Sequence, residues 1–315
     1  MSSRTVTAER AAIDRVRTAL TGRKADVRGF VFQVVLLLTL VFALAVLIVL
    51  LLDVSRTAIP FLLDRGGEVF TSGYSSLPAN AGMRHGLIGT AYLGAFVIVI
   101  ALPLGVGAAI YMEEYARDTR LTRLINTNIR NLAGVPAIVY GIMGLAVFVE
   151  LLAPITGPDV EGRSLLAGGL TISLMVLPII IITTQEALRA VPNGIREAGF
   201  GVGATRWEVV RSHVLPYAAP GVLTGSVLSM ARALGETAPL IMVGATTGFL
   251  ATQGGLFAQL QQHYTSLPTL VFVYVKKPQQ EFQDLAAATI LVLIAFIFVV
   301  NLVSIILRNR YERKW

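Results

Sequence analysis

Six apolar stretches, near Phe30–Leu52, Leu87–Met112, Leu132–Leu152, Leu166–Thr184, Gly221–Thr246 and Leu285–Leu307, each approach the ~20 residues an α-helix needs to cross hydrocarbon. Lipid offers the backbone no hydrogen-bond partners, so such segments must satisfy their own amides and carbonyls, and helices do so. The expectation is therefore an all-α integral membrane protein with six spans. Composition agrees: 55% of residues are hydrophobic and 14% charged, against about 25% charged in a soluble domain. The first stretch reads as an anchor and not as a signal peptide. It is too long, follows a basic leader of 29 residues and lacks a small-residue cleavage site.

Charge sets the orientation. Of 26 Lys and Arg, seven lie in the N-terminal tail, four in Glu113–Arg130, four in Gln185–Ala219 and four in the C-terminal tail, which places 19 on one side. Only 6 lie on the other side, in Asp53–Gly86, around Arg163 and in Gly248–Asp284, while Arg232 falls inside a span. The positive-inside rule then predicts that both termini are cytoplasmic. The same scattering excludes nucleic acid as a partner, since the net charge of +7 forms no stripe or patch. With no cysteine and three dispersed histidines (His85, His213, His263), the chain offers no thiol chemistry and little material for a metal centre. Residues 1–29 form a cytoplasmic tail, 30–307 the membrane region and 308–315 a second cytoplasmic tail. In the first tail, Ile13, Val16 and Leu20 at helical spacing, with Gly22 as a stop, predict an amphipathic helix on the membrane surface.

The longest cytoplasmic loop, 186–219, reads as two short helices joined at a bend loosened by Gly199, Gly201 and Gly203. Trp207, Val209 and Val210 supply apolar contacts, and Leu215-Pro216 marks the return to the membrane. A structured loop on that face is a docking element. No Gly-x-x-x-x-Gly-Lys-Ser/Thr phosphate loop occurs, so any nucleotide must be handled by another chain.

The fifth stretch carries Arg232 and Glu236, one helical turn apart. An intramembrane Arg costs at least ~2.5–3.5 kcal/mol on insertion scales and needs a partner or an aqueous path. Two readings stay open: an ion pair that holds the bundle, or a pathway in which a fixed guanidinium offers paired donors to a tetrahedral oxyanion.

The loop resembles that of binding-protein-dependent ABC permeases, whose pattern is E-A-A, three residues, G, nine residues, I, one residue, L-P. Here Glu197-Ala198-Gly199 is followed by Gly203, His213 and Leu215-Pro216 at the same spacing, with Gly199 and His213 as departures. The membrane region is similar to the permeases of the phosphate-specific ABC importer. The matching runs are Gly86–Thr90, Pro103–Gly105, Glu114–Ala116, Ala133–Pro136, Ile138–Gly141 and Gly203–Trp207. Gly235–Leu240 matches the A-type permease, since the C-type has methionine after the threonine; Ala137, where serine is usual, departs. The resemblance implies a type I, MetI-like permease that performs no catalysis and holds no cofactor of its own. ATP-Mg would be bound by two P-loop ATPase subunits docked on 186–219. Further implied partners are a homologous C-type permease, an extracytoplasmic phosphate-binding protein, phosphate and the lipid bilayer of a bacterial cell membrane. Arg232, Glu236 and Thr237 are the expected translocation residues. The rival readings are a permease for sulfate or molybdate, a secondary transporter, and a membrane scaffold that uses the loop only for docking.

Overall fold

The computed structural model describes residues 27–245 and 255–311. The anticipated N-terminal amphipathic helix, the end of the fifth stretch at Thr246 and the last residues of the C-terminal tail lie outside them. The chain forms two compact units divided after Asp53. In the first, residues 27–53 form a helix with no buried side chain, apolar on every face. This helix, α1, has the bounds Val27–Arg65.

Six helices are long and apolar enough to span: α1, α3 (Arg84–Tyr115), α5 (Ala137–Thr156), α6 (Leu165–Arg189), α8 (Arg206–Gly235) and α12 (Gln280–Tyr311). Between them lie α2 (Glu68–Thr71), α4 (Arg120–Ala133), α7 (Asn193–Gly201), α9 (Ala238–Met242), α10 (Leu256–Leu260) and α11 (Leu267–Val275). No strand occurs among the described residues.

Helix α6 is the centre of the second unit, with Ile172, Met175, Val176 and Ile180 fully or almost fully buried. Its neighbours reach it through glycines. A Cβ on Gly105 of α3 would meet Ile180, one on Gly144 of α5 would meet Thr171, and those on Gly221 and Gly225 of α8 would meet Ala187 and Thr183. The Gly221-x-x-x-Gly225 spacing thus forms one close-packing face. Small residues allow membrane helices the backbone approach from which their dispersion energy comes.

Three stretches depart from expectation. The third begins at Ala137, not Leu132, because Val135-Pro136 disfavours continued helix and separates it from α4. Helix α4 itself occupies what reads in the sequence as a loop. The fifth span starts within the 186–219 segment, at Arg206, and stops at Gly235, so Leu215 and Pro216 lie inside a helix and not at a re-entry turn. A π turn, Val210–Val214, makes this possible. Its Leu215 N–H donates to Val210 O, and the wide turn absorbs the bond that Pro216 cannot make to Ser212. Pro103 of α3 follows the π turn Val97–Ala101 in the same way.

The stretch between the fifth and sixth spans also holds more structure than a loop. Helix α11 buries Leu267, Leu270 and Tyr274 completely. Leu267 N–H donates to Thr90 Oγ1 at 2.8 Å, and Tyr274 Oη donates to Gly82 O at 2.7 Å.

Candidate functional site

Two places carry the residues singled out by sequence, one at the end of α8 and one on the 186–219 segment. At the first, Arg232 lies in the last turn of α8, where its positive charge complements the helix C-terminus. Glu236 is just beyond the helix in extended conformation (φ −80°, ψ 129°), so the pair meets across a helix end and not along one face. The contact is single: Arg232 Nε to Glu236 Oε1 at 3.5 Å. The side chains remain 43% and 25% exposed, and among the described residues Arg232 has no other ion pair. Its terminal nitrogens are therefore available. Thr237 occupies the N-cap of α9 without a side-chain capping bond.

The break is held from outside. A Cβ on Gly141 of α5 would lie 2.7 Å from Pro239 Cα, so α9 rests directly on the α5 backbone. Tyr140, buried beside it, donates from Oη to Leu132 O at 2.9 Å, across the Gly134-Val135-Pro136 interruption. On the other side, Gly94 of α3 faces Leu234 and Met230 of α8.

At the second place, α7 turns through Gly203 (φ +82°) into α8, whose first turn is fixed by Thr205 and Glu208 capping each other. Gly199 is buried where a Cβ would strike Val209, which explains glycine at the third position of the E-A-A pattern. Glu197 and Ala198 are exposed, Leu215 half-buried and Pro216 exposed. Ala198, Gly199 and Pro216, with Ile195, His213 and Tyr217, line a mostly apolar groove of ≈ 530 Å³. Val202, 85% exposed, stands at its rim, and Phe200 and Trp207 are exposed on the same loop.

The sequence reading gave no role to four residues that hold this loop: Glu113, Glu114, Arg189 and Arg196. Arg196 of α7 meets Glu114 with Nη2–Oε1 at 2.7 Å, and Arg189 meets Glu113 with Nη2–Oε1 at 2.6 Å. Glu186 is shared by Arg189 and by Arg130 of α4, each at 3.5 Å. Gln185 Nε2 donates to Asn126 Oδ1 at 2.9 Å. The paired acidic residues in Glu114-Tyr115-Ala116 and before it were the available signal. Among the described residues no cluster of His, Asp and Glu could hold a metal.

Six helices of spanning length, with a charge pair at the end of one of them and a helical segment between α6 and α8, describe a multi-pass membrane protein. Residues 101–315 match the family described as "Binding-protein-dependent transport system inner membrane component", and the chain belongs to that family. It is 34% identical over 180 residues to the "Probable ABC transporter permease protein YqgI" of Bacillus subtilis, a match that spans 57% of this chain and 59% of that protein's own length. It is 31% identical to the "Phosphate transport system permease protein PstA" of Yersinia pestis, covering 72% of each chain. A PstC of Mesorhizobium japonicum matches at the same 31%, over 74% of this chain and 77% of that one. The fold is also that of the MetNI methionine ABC transporter seen in its inward-facing conformations (TM-score 0.53, 19% identity, 74% of this chain and 95% of that one). The protein is thus a multi-pass bacterial membrane permease subunit of the MetI-like importer fold. Permeases of this family are non-catalytic, and ATP is hydrolysed on separate ATPase chains.

Proposed function

We propose that the chain is the A-type permease of an ATP-driven importer of inorganic phosphate. It would line the path together with a homologous C-type permease. Two ATPase chains would dock on the 186–219 segment, and an extracytoplasmic binding protein would deliver phosphate. Both termini would then be cytoplasmic. The observation that carries the reading is Arg232, an intramembrane guanidinium held through Nε alone, at 3.5 Å, by a half-exposed pair. A guanidinium so oriented presents a planar fork to two oxygens of a tetrahedral anion. The relatives described as phosphate permeases support phosphate over other oxyanions. The groove of α7 and α8, rimmed by exposed Val202, supports the docking role.

The test is uptake of radiolabelled phosphate by vesicles holding the complete complex, with excess sulfate or molybdate as competitor. Phosphate uptake that needs ATP and is untouched by either competitor is expected. Equal uptake of sulfate, or uptake with the ATPase inactivated, would overturn the reading.

A further inference from the structure

Helix α7 is joined by its chain ends to α6 and α8, and a displacement of α7 would pass naturally into α8. The ion pairs describe a second route. The Arg196 guanidinium is used on every nitrogen. Nε lies 3.3 Å from both Glu114 oxygens and Nη2 lies 2.7 Å from Oε1. Nη2 also donates to Leu188 O and Nη1 to Val191 O, each at 2.8 Å. Those carbonyls close the C-terminal end of α6, where a cation is favourable.

This joint is well protected from water, with Arg196 19% and Glu114 8% exposed. The neighbouring Arg189–Glu113 pair, at 2.6 Å with Glu113 15% exposed, ties α6 to the same end of α3. Arg189 and Glu186 instead meet at 3.5 Å, 42% and 57% exposed, as a surface pair. Such surface pairs exchange with water and transmit little. A bidentate, enclosed pair cannot be separated without stranding a charge. Helix α7 is therefore fastened to the end of α3.

Helix α3 runs from Glu114 back to Gly94, where Leu234 Cδ2 lies 3.4 Å from the position of a Cβ. Leu234 stands between Arg232 and Glu236. The cytoplasmic groove and the intramembrane charges are thus connected through α3 as well as through α8.

We propose that Arg196 and Glu114 are positioning residues that make α3 a second transmission rod. Movement of α7 then reaches the Arg232–Glu236 site from two sides at once. The inference rests on the reading of 186–219 as the ATPase dock. It adds that coupling between hydrolysis and transport depends on this pair, while docking does not.

The experiment uses the complete reconstituted complex with Arg196→Lys, Glu114→Gln and the double variant Arg196→Lys/Glu114→Gln. Three quantities are read: ATPase chains retained per permease, ATP hydrolysed, and phosphate moved per ATP. Arg196→Lys keeps the charge, and so preserves a foldable chain where Arg196→Ala would strand Glu114. ATPase retention is expected to stay at the wild-type level in both single variants, and phosphate moved per ATP to fall on the order of tenfold. The double variant is expected to lose little more than the worse single variant, because both act on one joint, whereas two independent losses of stability would add. Unchanged phosphate per ATP in both single variants would overturn the proposal. So would loss of ATPase retention in Arg196→Lys, because Arg196 would then be a docking residue. Failure of the wild-type permease to retain ATPase chains would instead overturn the docking reading itself.

Discussion

Arg232 and Glu236 can be separated into their two roles by substitution. The pair is partly exposed and meets at 3.5 Å, so its removal should cost no more than about 1 kcal/mol of stability. Arg232→Ala is expected to abolish phosphate uptake while the protein reaches the membrane, since losing a charge eases insertion of the span. Arg232→Lys should keep at most partial uptake, because an ammonium lacks the planar fork. The decisive variant is Arg232→Ala/Glu236→Ala, which leaves neither charge unpaired. It should remain inactive with the complex assembled. Robust uptake by this variant would return Arg232 to a structural role. The pair itself was legible in the sequence from its four-residue spacing, but its geometry was not. Spacing assumes a continuous helix, and the chain leaves helix at Gly235, with Pro239 set to begin the next one.

The elements divide by how they bury their apolar faces. The six spans were legible because an apolar run of that length has only one stable form in lipid, although α5 and α8 begin elsewhere than expected. Helix α4 was missed because it is too polar to span, although Leu121, Leu124, Ile125, Ile129 and Leu132 keep the helical period. Helix α11 was missed for another reason. At nine residues it is too short to cross, and only its partners on α3 and beyond reveal that it is buried. Two substitutions test this level. Gly203→Val places a β-branched residue at φ +82°, a conformation that costs an L-residue roughly 1–2 kcal/mol. Nothing lies within 4 Å of the added Cβ, so the strain stays in the bend. Uptake should fall at normal membrane level, and wild-type uptake would remove the bend from the transmission path. Gly141→Leu would drive a side chain into Pro239 and Met242, displacing α9. It should lower uptake more than the outward-facing Ile142→Leu does, as measured in the same vesicles.

For the whole molecule, the distribution of Lys and Arg and the absence of cysteine combine into one test. Single cysteines introduced into a chain that has none report sidedness without background. Gln279→Cys, exposed beyond α11, should react with an impermeant maleimide from outside, and Val202→Cys only from inside. Both residues reacting from one side would break the topology. Six spans were readable from hydropathy; the centrality of α6 was not, since its burial depends on glycines contributed by three other helices. Among the described residues three π turns lie inside spans, Val97–Ala101, Leu145–Val149 and Val210–Val214, and these bear on ancestry. Each accommodates one residue more than an α-turn would. Losing that residue would turn the rest of the helix by about 100°. Gly105 would then swing away from Ile180 unless the backbone re-formed an ordinary turn in place of the wide one. Relatives that lack one of these turns should therefore differ by a single-residue deletion in the middle of a helix, with the flanking loops unchanged in length.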